Sequence, residues 1–153
     1  AYFVSLPASF KHASGKIAVR PNGIGKSFFI DRIQPRQDWI DGDTLAQFTG
    51  AMPAAAGDWS SYRLDVILQE CDMVMKRAKA MGLWILSSTW WDASAVDYFI
   101  LPDIETHIAR FVKKDRPFPE EFWNQDVVPS RRSIEIAAEE HGVPVLSDLS
   151  ELL

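Results

Sequence analysis

Short β-prone runs alternate with longer segments of helical periodicity along this chain. The β-prone runs cover residues 16–20, 38–43, 83–91, 96–102 and 143–146. Between them, apolar residues recur every three or four positions, as they do on one face of an amphipathic helix. Strands that alternate with helices at this spacing predict an α/β fold: a three-layer α/β/α sandwich with a mostly parallel, five-stranded sheet.

Four segments carry the helical pattern. The first, residues 26–33, follows a glycine-containing loop, and the last, residues 130–142, begins at a serine and stops at a glycine. In the long second segment, apolar residues recur from Leu64 to Ala78. Ser60 is expected to cap its start and Gly82 to end it.

The third segment, residues 103–114, has an acidic start and a basic end, which suits the helix dipole. Its apolar residues are expected on one side of the helix: Ile104, Ile108, Phe111 and Val112. The tail, residues 147–153, is expected to form one last helical turn.

Length and charge limit the kind of partner. The 153 residues, 47% of them hydrophobic, are enough for one compact domain over residues 1–153. A formal net charge of −5 argues against a broad basic surface for nucleic acid, although it permits a local basic pocket for phosphate. We therefore expect a small-molecule or nucleotide partner.

Cysteine content and hydropathy indicate the compartment. Cys71 is the only cysteine, so neither an internal disulfide nor a multi-cysteine metal site is available, and we expect it to be a buried apolar residue. No stretch reaches the roughly 20 apolar residues that cross a bilayer. The pattern predicts a soluble, cytoplasmic protein without a membrane partner.

The loop after the first strand concentrates glycines beside a cation. In "VRPNGIGKSFFIDRI", residues 19–33, Gly23 and Gly25 precede Lys26 and Ser27 at the start of a helical segment. Glycines let a backbone approach a ligand closely, and the N–H groups of such a loop converge on anions together with the helix N-terminus. This arrangement predicts a phosphate-binding site.

The segment "RPNGIGKS" resembles the Walker A loop of P-loop NTPases, whose pattern is Gly-x-x-Gly-x-Gly-Lys-Ser/Thr. Arg20 stands where the first glycine is expected. The resemblance implies that Lys26 reaches the outer phosphates of ATP, and that Ser27 offers its hydroxyl to Mg²⁺. It also implies that the nucleotide is bound by Asn22, Gly23, Ile24, Gly25, Lys26, Ser27 and Phe28.

The segment "WIDGDTL", residues 39–45, resembles the Asp-Gly-Asp or Asp-x-Asp segment of shikimate, gluconate, adenylylsulfate and nucleoside monophosphate kinases. That resemblance implies that Asp41 helps to hold Mg²⁺, and that Asp43 orients the acceptor hydroxyl and takes part in catalysis. An ordinary Asp-Gly turn is the alternative interpretation. The function implied is ATP- and Mg²⁺-dependent transfer of the γ-phosphoryl group to a nucleotide, a nucleoside derivative or a hydroxylated metabolite.

A long polar connection, residues 113–129, is expected to be a mobile lid. By resemblance, Arg116 is a catalytic residue and Arg131 contacts the nucleotide, with Lys114 and Arg132 as further candidates. The acceptor pocket is expected from residues 44–63 and 115–129.

One departure from the kinase pattern leaves other functions open. The strand that usually ends in a Walker B aspartate has Ser87 and Ser88 in that region, with Asp92 only after two tryptophans. The alternatives are a polynucleotide 5′-hydroxyl kinase, which the acidic charge disfavours, and a non-catalytic nucleotide-binding or assembly module.

Two further groups of side chains have weaker patterns. Trp59, Trp90 and Trp91 either stack on a ring-bearing acceptor or pack at the core and rim. The histidines are interpreted as surface or helix-end residues, and their spacing suggests no zinc site: His12, His107 and His141.

Overall fold

Five parallel strands form the centre of the protein. The computed structural model describes residues 12–21, 39–49, 64–112 and 117–152. The strands lie side by side in the order β2-β3-β1-β4-β5. They are β1 (Lys16–Val19), β2 (Trp39–Asp41), β3 (Trp84–Ser87), β4 (Tyr98–Ile100) and β5 (Val145–Leu146).

Helices connect and follow these strands in the described part of the chain. The α-helices are α1 (Gly42–Phe48), α2 (Leu64–Ala80), α3 (Ile104–Phe111), α4 (Glu120–Phe122) and α5 (Val128–His141). A π-helical turn, Trp123–Val127, joins α4 to α5, and 3₁₀ turns cover Ala93–Ala95 and Leu149–Leu152. The α/β fold and its parallel five-stranded sheet are confirmed, as is the helical turn in the tail.

The sheet separates two groups of buried side chains. On one face, Ile17, Ile85 and Phe99 belong to a core cluster that includes residues of α1, α2 and α5, among them Leu45 and Met75. Alternate strand positions form a second cluster together with Leu149 of the 3₁₀ turn in the tail: Ala18, Trp39, Leu86, Ile100 and Leu149. The three-layer prediction includes a helix over residues 26–33. That segment lies outside the described residues, so the third layer stays a prediction.

Helix ends follow from local chemistry. The Asp103 carboxylate accepts hydrogen bonds from the Thr106 N–H and hydroxyl, 2.9 and 2.8 Å away, and so caps α3. Gly142, with φ of 63°, ends α5 in the left-handed conformation that glycine adopts most easily. Gly82, with φ of 85°, follows α2 as predicted, whereas Ser60 lies outside the described residues.

The region assigned to a lid is partly helical. Residues 120–129, expected as part of an irregular connection, belong to α4, the π-helical turn and the start of α5. The π-helical turn contains the hydrogen bond from Val128 N–H to Trp123 O. The turn ends two residues before Pro129, which has no N–H for a regular helical bond and crowds the preceding turn, so a widened turn accommodates the proline.

Candidate functional site

The carboxyl ends of the strands meet where the chain changes direction across the sheet. From β1 the chain proceeds to β2 on one side, whereas from β3 it crosses β1 to β4 on the other side. In open parallel sheets, ligands bind outside the carboxyl ends of strands at such a reversal. The region around Arg20, just after β1, is therefore the candidate site.

Arg20 extends the pairing of β1 and turns its side chain across the sheet edge. Its N–H donates to the Ser87 carbonyl at 2.9 Å. Its guanidinium donates to the Pro21 carbonyl at 3.2 Å and forms an ion pair with Asp43, with Nη2 3.9 Å from Oδ2. Burial lowers the pKa of Arg20, and the carboxylates of Asp43 and Asp41 oppose that shift.

Asp41 and Asp43 flank a glycine that α1 requires for close packing. A Cβ atom on Gly42 would lie 2.7 Å from Ser87 Cβ, so only a glycine lets the start of α1 approach the end of β3 this closely. One Asp41 oxygen accepts the Asp43 N–H at 3.3 Å and the other accepts the Thr44 hydroxyl at 2.9 Å. The Asp-Gly-Asp segment therefore begins a helix at the site.

Hydroxyl groups at the end of β3 complete this edge. Ser88 Oγ lies 3.5 Å from Asp43 Oδ1. The Ser87 hydroxyl accepts the Thr89 N–H at 3.0 Å and contacts the Thr89 hydroxyl at 3.1 Å. The structure thus brings together one buried cation, two carboxylates and several hydroxyls.

Most of the predicted nucleotide-binding residues lie outside the described part of the chain. This holds for Asn22, Gly23, Ile24, Gly25, Lys26, Ser27 and Phe28, and for Trp59, Lys114 and Arg116. Asp41 and Asp43 lie at the carboxyl edge, as the sequence predicted. Within the described residues, no group of three or more His, Cys, Asp or Glu side chains is arranged for a metal ion.

Arg131 is buried against α3. Its Nη1 lies 2.9 Å from His107 Nδ1, and the His107 ring packs edge-on against Trp123. Burial lowers the pKa of Arg131, with Glu135 and Asp103 opposing the shift. The interpretation of His107 as a surface residue was wrong, because this ring is fully buried between α3 and the helical segment that contains Trp123 and Arg131.

The other histidines and Arg132 have different surroundings. His141 is exposed at the end of α5, as expected, whereas the half-buried His12 ring stacks on Trp84 with 3.7 Å between ring centroids. Arg132, a further candidate for phosphate binding, is exposed and lies 3.9 Å from Glu135.

Asp92 stabilises the segment that follows β3 through local hydrogen bonds and an ion pair. Its carboxylate accepts hydrogen bonds from the Ser94 N–H at 3.0 Å and the Ser94 hydroxyl at 2.7 Å, and it pairs with Lys76 at 2.9 Å. These hydrogen bonds, first those of Ser94 and then that of Lys76, hold the pKa of Asp92 well below its usual range. Asp92 is thus a capping residue, and β3 itself ends at Ser87.

Trp90, Trp91 and Cys71 differ in how deeply they are buried. Trp90 packs edge-on against Phe99 with 5.5 Å between ring centroids, which places it beside the core, while Trp91 is half exposed. Cys71 is buried as predicted, and burial raises its pKa to about 11, so its thiol is protonated at neutral pH.

Comparison with models of known protein families gives no match for this chain, and comparison with characterised proteins gives none either. None of the helices within the described ranges has the length and apolar character needed to cross a bilayer.

Sequence reasoning missed the roles of Arg20 and Ser88. Arg20 was treated only as a departure from the glycine pattern, although a cation and a carboxylate that each follow a strand of the same parallel sheet lie at the same edge. The strand order that brings Arg20 to Asp43 across β3 was the missing information.

Proposed function

We propose that the protein is an ATP- and Mg²⁺-dependent phosphotransferase that moves the γ-phosphoryl group of ATP to a small acceptor. One observation carries this proposal: the Walker A-like segment begins at the carboxyl end of the central strand β1, beside Asp41 and Asp43. A phosphate-binding loop and an acidic segment at the same edge of a parallel sheet are suitably placed for phosphoryl transfer, which depends mainly on positioning and charge neutralisation.

The proposed roles follow from side-chain chemistry. Lys26 and the amides of residues 22–28 neutralise the phosphates, and Arg116 and Arg131 add positive charge when the connection before α5 closes. Because Arg131 is held on His107, its contact with the nucleotide requires that pair to open. Asp43 orients the acceptor hydroxyl and accepts its proton.

Magnesium suits the oxygen donors at this edge. Asp41 and Ser27 would hold Mg²⁺, which prefers carboxylate, hydroxyl and phosphate oxygens and keeps several waters. The two Asp41 oxygens lie 3.3 Å from the Asp43 nitrogen and 2.9 Å from the Thr44 hydroxyl, so a carboxylate of the kind that Mg²⁺ prefers stands at this edge. Bound Mg²⁺ neutralises charge on the phosphates.

Replacing Lys26 tests this proposal. We expect Lys26→Ala to weaken binding of a fluorescent ATP analogue with Mg²⁺ and to lower turnover, each by about tenfold or more, because charge-assisted hydrogen bonds to phosphate are lost. Lys16→Ala is the matched control, since Lys16 lies at the other end of β1, where its Nζ is 4.7 Å from the Trp84 ring. Unchanged affinity and turnover in a folded Lys26→Ala variant would remove the proposal.

A non-catalytic nucleotide-binding module is the second candidate. The observation that favours it is the engagement of Asp92 with Ser94 and Lys76, because β3 then ends in serines without an acid of its own. In that case ATP or GDP raises the unfolding temperature, while no member of a broad panel of hydroxyl and phosphate acceptors is phosphorylated.

A further inference from the structure

Arg20 carries its charge into the interior at the carboxyl edge of the sheet. Its side chain is 4% exposed, whereas that of its partner Asp43 is 27% exposed. Because β3 lies between β1 and β2, the arginine reaches over the end of β3 to a residue that follows the outer strand. Its pair with Asp43 therefore joins residues that follow two strands which are not neighbours.

Burying a guanidinium is costly, and a glycine at this position would avoid the cost. Arg20 has two described side-chain contacts that offset it, the Pro21 carbonyl and the Asp43 carboxylate. The contact with the Pro21 carbonyl joins Arg20 only to the next residue in the chain. The second reaches the acidic segment, where a fixed cation restricts the orientations that the Asp43 carboxylate can adopt.

Ser87 of β3 contacts the backbone beside both members of this pair. Arg20 is bonded through its N–H to the Ser87 carbonyl at 2.9 Å. On the other side, Gly42 packs against Ser87 so closely that a Cβ atom would not fit. The backbone beside each partner is thus anchored on the same residue of β3, which brings the two side chains to the same edge of the sheet.

We propose that Arg20 is a positioning residue: its guanidinium, paired with Oδ2, orients the Asp43 carboxylate toward the acceptor hydroxyl at the edge where Ser88 Oγ also contacts Asp43. This inference rests on the function proposed above. In the transfer step the hydroxyl oxygen forms a bond to the γ-phosphorus, the bond to the β–γ bridging oxygen breaks, ADP leaves, and the hydroxyl proton passes to Asp43.

A double-mutant cycle on stability tests the pair without nucleotide. The single variants Arg20→Met and Asp43→Asn are compared with the double variant by urea unfolding. We expect the double variant to lose less stability than the sum of the two single losses, because either single change already removes the attraction between the two charges. Strictly additive losses would overturn the inference.

The same cycle on ATP turnover tests the role, with water as the acceptor. We expect Arg20→Met to lower turnover by about 10- to 100-fold through misplacement of Asp43, while affinity for the fluorescent ATP analogue stays within about threefold. In the Asp43→Asn background, Arg20→Met should have no further effect on turnover. Arg20→Lys keeps the charge, so it should recover part of the turnover that Arg20→Met loses. If Arg20→Met does not fold, Arg20→Lys takes its place in the cycle.

Failure of the positioning role and failure of the proposed phosphotransferase function give different results. Arg20→Met could lower turnover equally with and without Asp43, or lower ATP affinity as much as turnover. Either result would show that Arg20 acts on the Walker A-like segment instead of on Asp43. Absence of ATP binding and turnover in the unchanged protein would remove the proposed function and the positioning role together. The stability cycle would then still report whether the ion pair exists.

Discussion

Asp72, Lys76 and Asp92 form a charged cluster that ties the segment after β3 to α2. The buried Asp72 carboxylate accepts the Trp91 and Asp92 N–H groups at 3.4 and 3.2 Å. Lys76 Nζ lies 2.9 Å from both Asp72 and Asp92. The N–H groups of Thr89, Trp91 and Asp92 therefore bond to side chains instead of a neighbouring strand, which explains why β3 stops at Ser87 and not at residue 91 as predicted.

The lowered pKa of Asp92 predicts a pH-dependent contribution to stability. A carboxylate whose pKa is lower in the folded protein stabilises it above the unfolded-state value of about 3.9, and this stabilisation is lost as the pH falls below that value. We expect Asp92→Asn to lower the unfolding temperature by a few degrees at pH 6 and by clearly less at pH 3. Thermal unfolding followed by circular dichroism measures both.

Asp126 provides the control for Asp92. It is an exposed aspartate in the π-helical turn, so Asp126→Asn should change the unfolding temperature little at either pH. An Asp92→Asn effect of the same size at pH 3 as at pH 6 would contradict the ionic role of Asp92.

At the level of elements, α3 packs with a different face from the one its sequence predicted. Ile104, Ile108, Phe111 and Val112 were expected together on one side of the helix, but Ile104, Ile108 and Val112 are 47%, 37% and 45% exposed, whereas Phe111 is half-buried. The inner side has His107 and Phe111, which contact aromatic rings of the segment 118–123. The helix therefore docks through a polar and aromatic contact, which apolar periodicity does not reveal.

The His107–Arg131 pair joins α3 to α5, and its loss should weaken the fold. A guanidinium can only donate, so His107 Nδ1 is the acceptor and the ring proton is on Nε2. Arg131→Met leaves the buried His107 nitrogen without its donor, and we expect a loss of about 1–3 kcal/mol in unfolding free energy. Urea unfolding measures the loss.

Arg132 is the natural comparison for Arg131, because it is adjacent and its side chain is 73% exposed. Arg132→Met should change the unfolding free energy by less than about 0.5 kcal/mol, since exposed ion pairs contribute little. Equal effects of the two substitutions would show that the contact with His107 contributes nothing to stability.

At the scale of the whole molecule, burial decreases from the central strands of the sheet to β5 at its edge. Ile85 in β3 is fully buried, whereas Val145 in the two-residue edge strand β5 is 47% exposed. Edge strands this short offer few unpaired backbone groups to another chain. Stability is therefore expected to depend much more on β3 than on β5.

Paired substitutions on these two strands test that expectation. Ile85→Val removes one buried methyl group and should cost about 0.5–1.5 kcal/mol in unfolding free energy. Val145→Ala removes more atoms from an exposed position and should cost less than about 0.5 kcal/mol. Similar losses in urea unfolding would contradict the described sheet order, because they would require β5 to be as buried as β3.

Local patterns in the sequence determined which segments become strands and helices. Alternating β-prone and helical segments predicted the parallel sheet, and short-range signals such as Gly82 and Gly142 predicted helix ends. These features depend on residues within one turn of each other, so periodicity and capping chemistry suffice to find them. The acidic pair Asp41 and Asp43 was singled out by the resemblance of its segment, which follows a β-prone run, to the Asp-x-Asp segment of small-molecule kinases.

Only the tertiary structure decided which side chains meet. The Arg20–Asp43 pair depends on the strand order, the His107–Arg131 pair on the rotation of α3, and the role of Asp92 on the approach of α2. Each contact joins residues at least 16 positions apart in sequence. Such contacts depend on how whole elements pack around a shared core, and a pattern within a single segment does not contain that information.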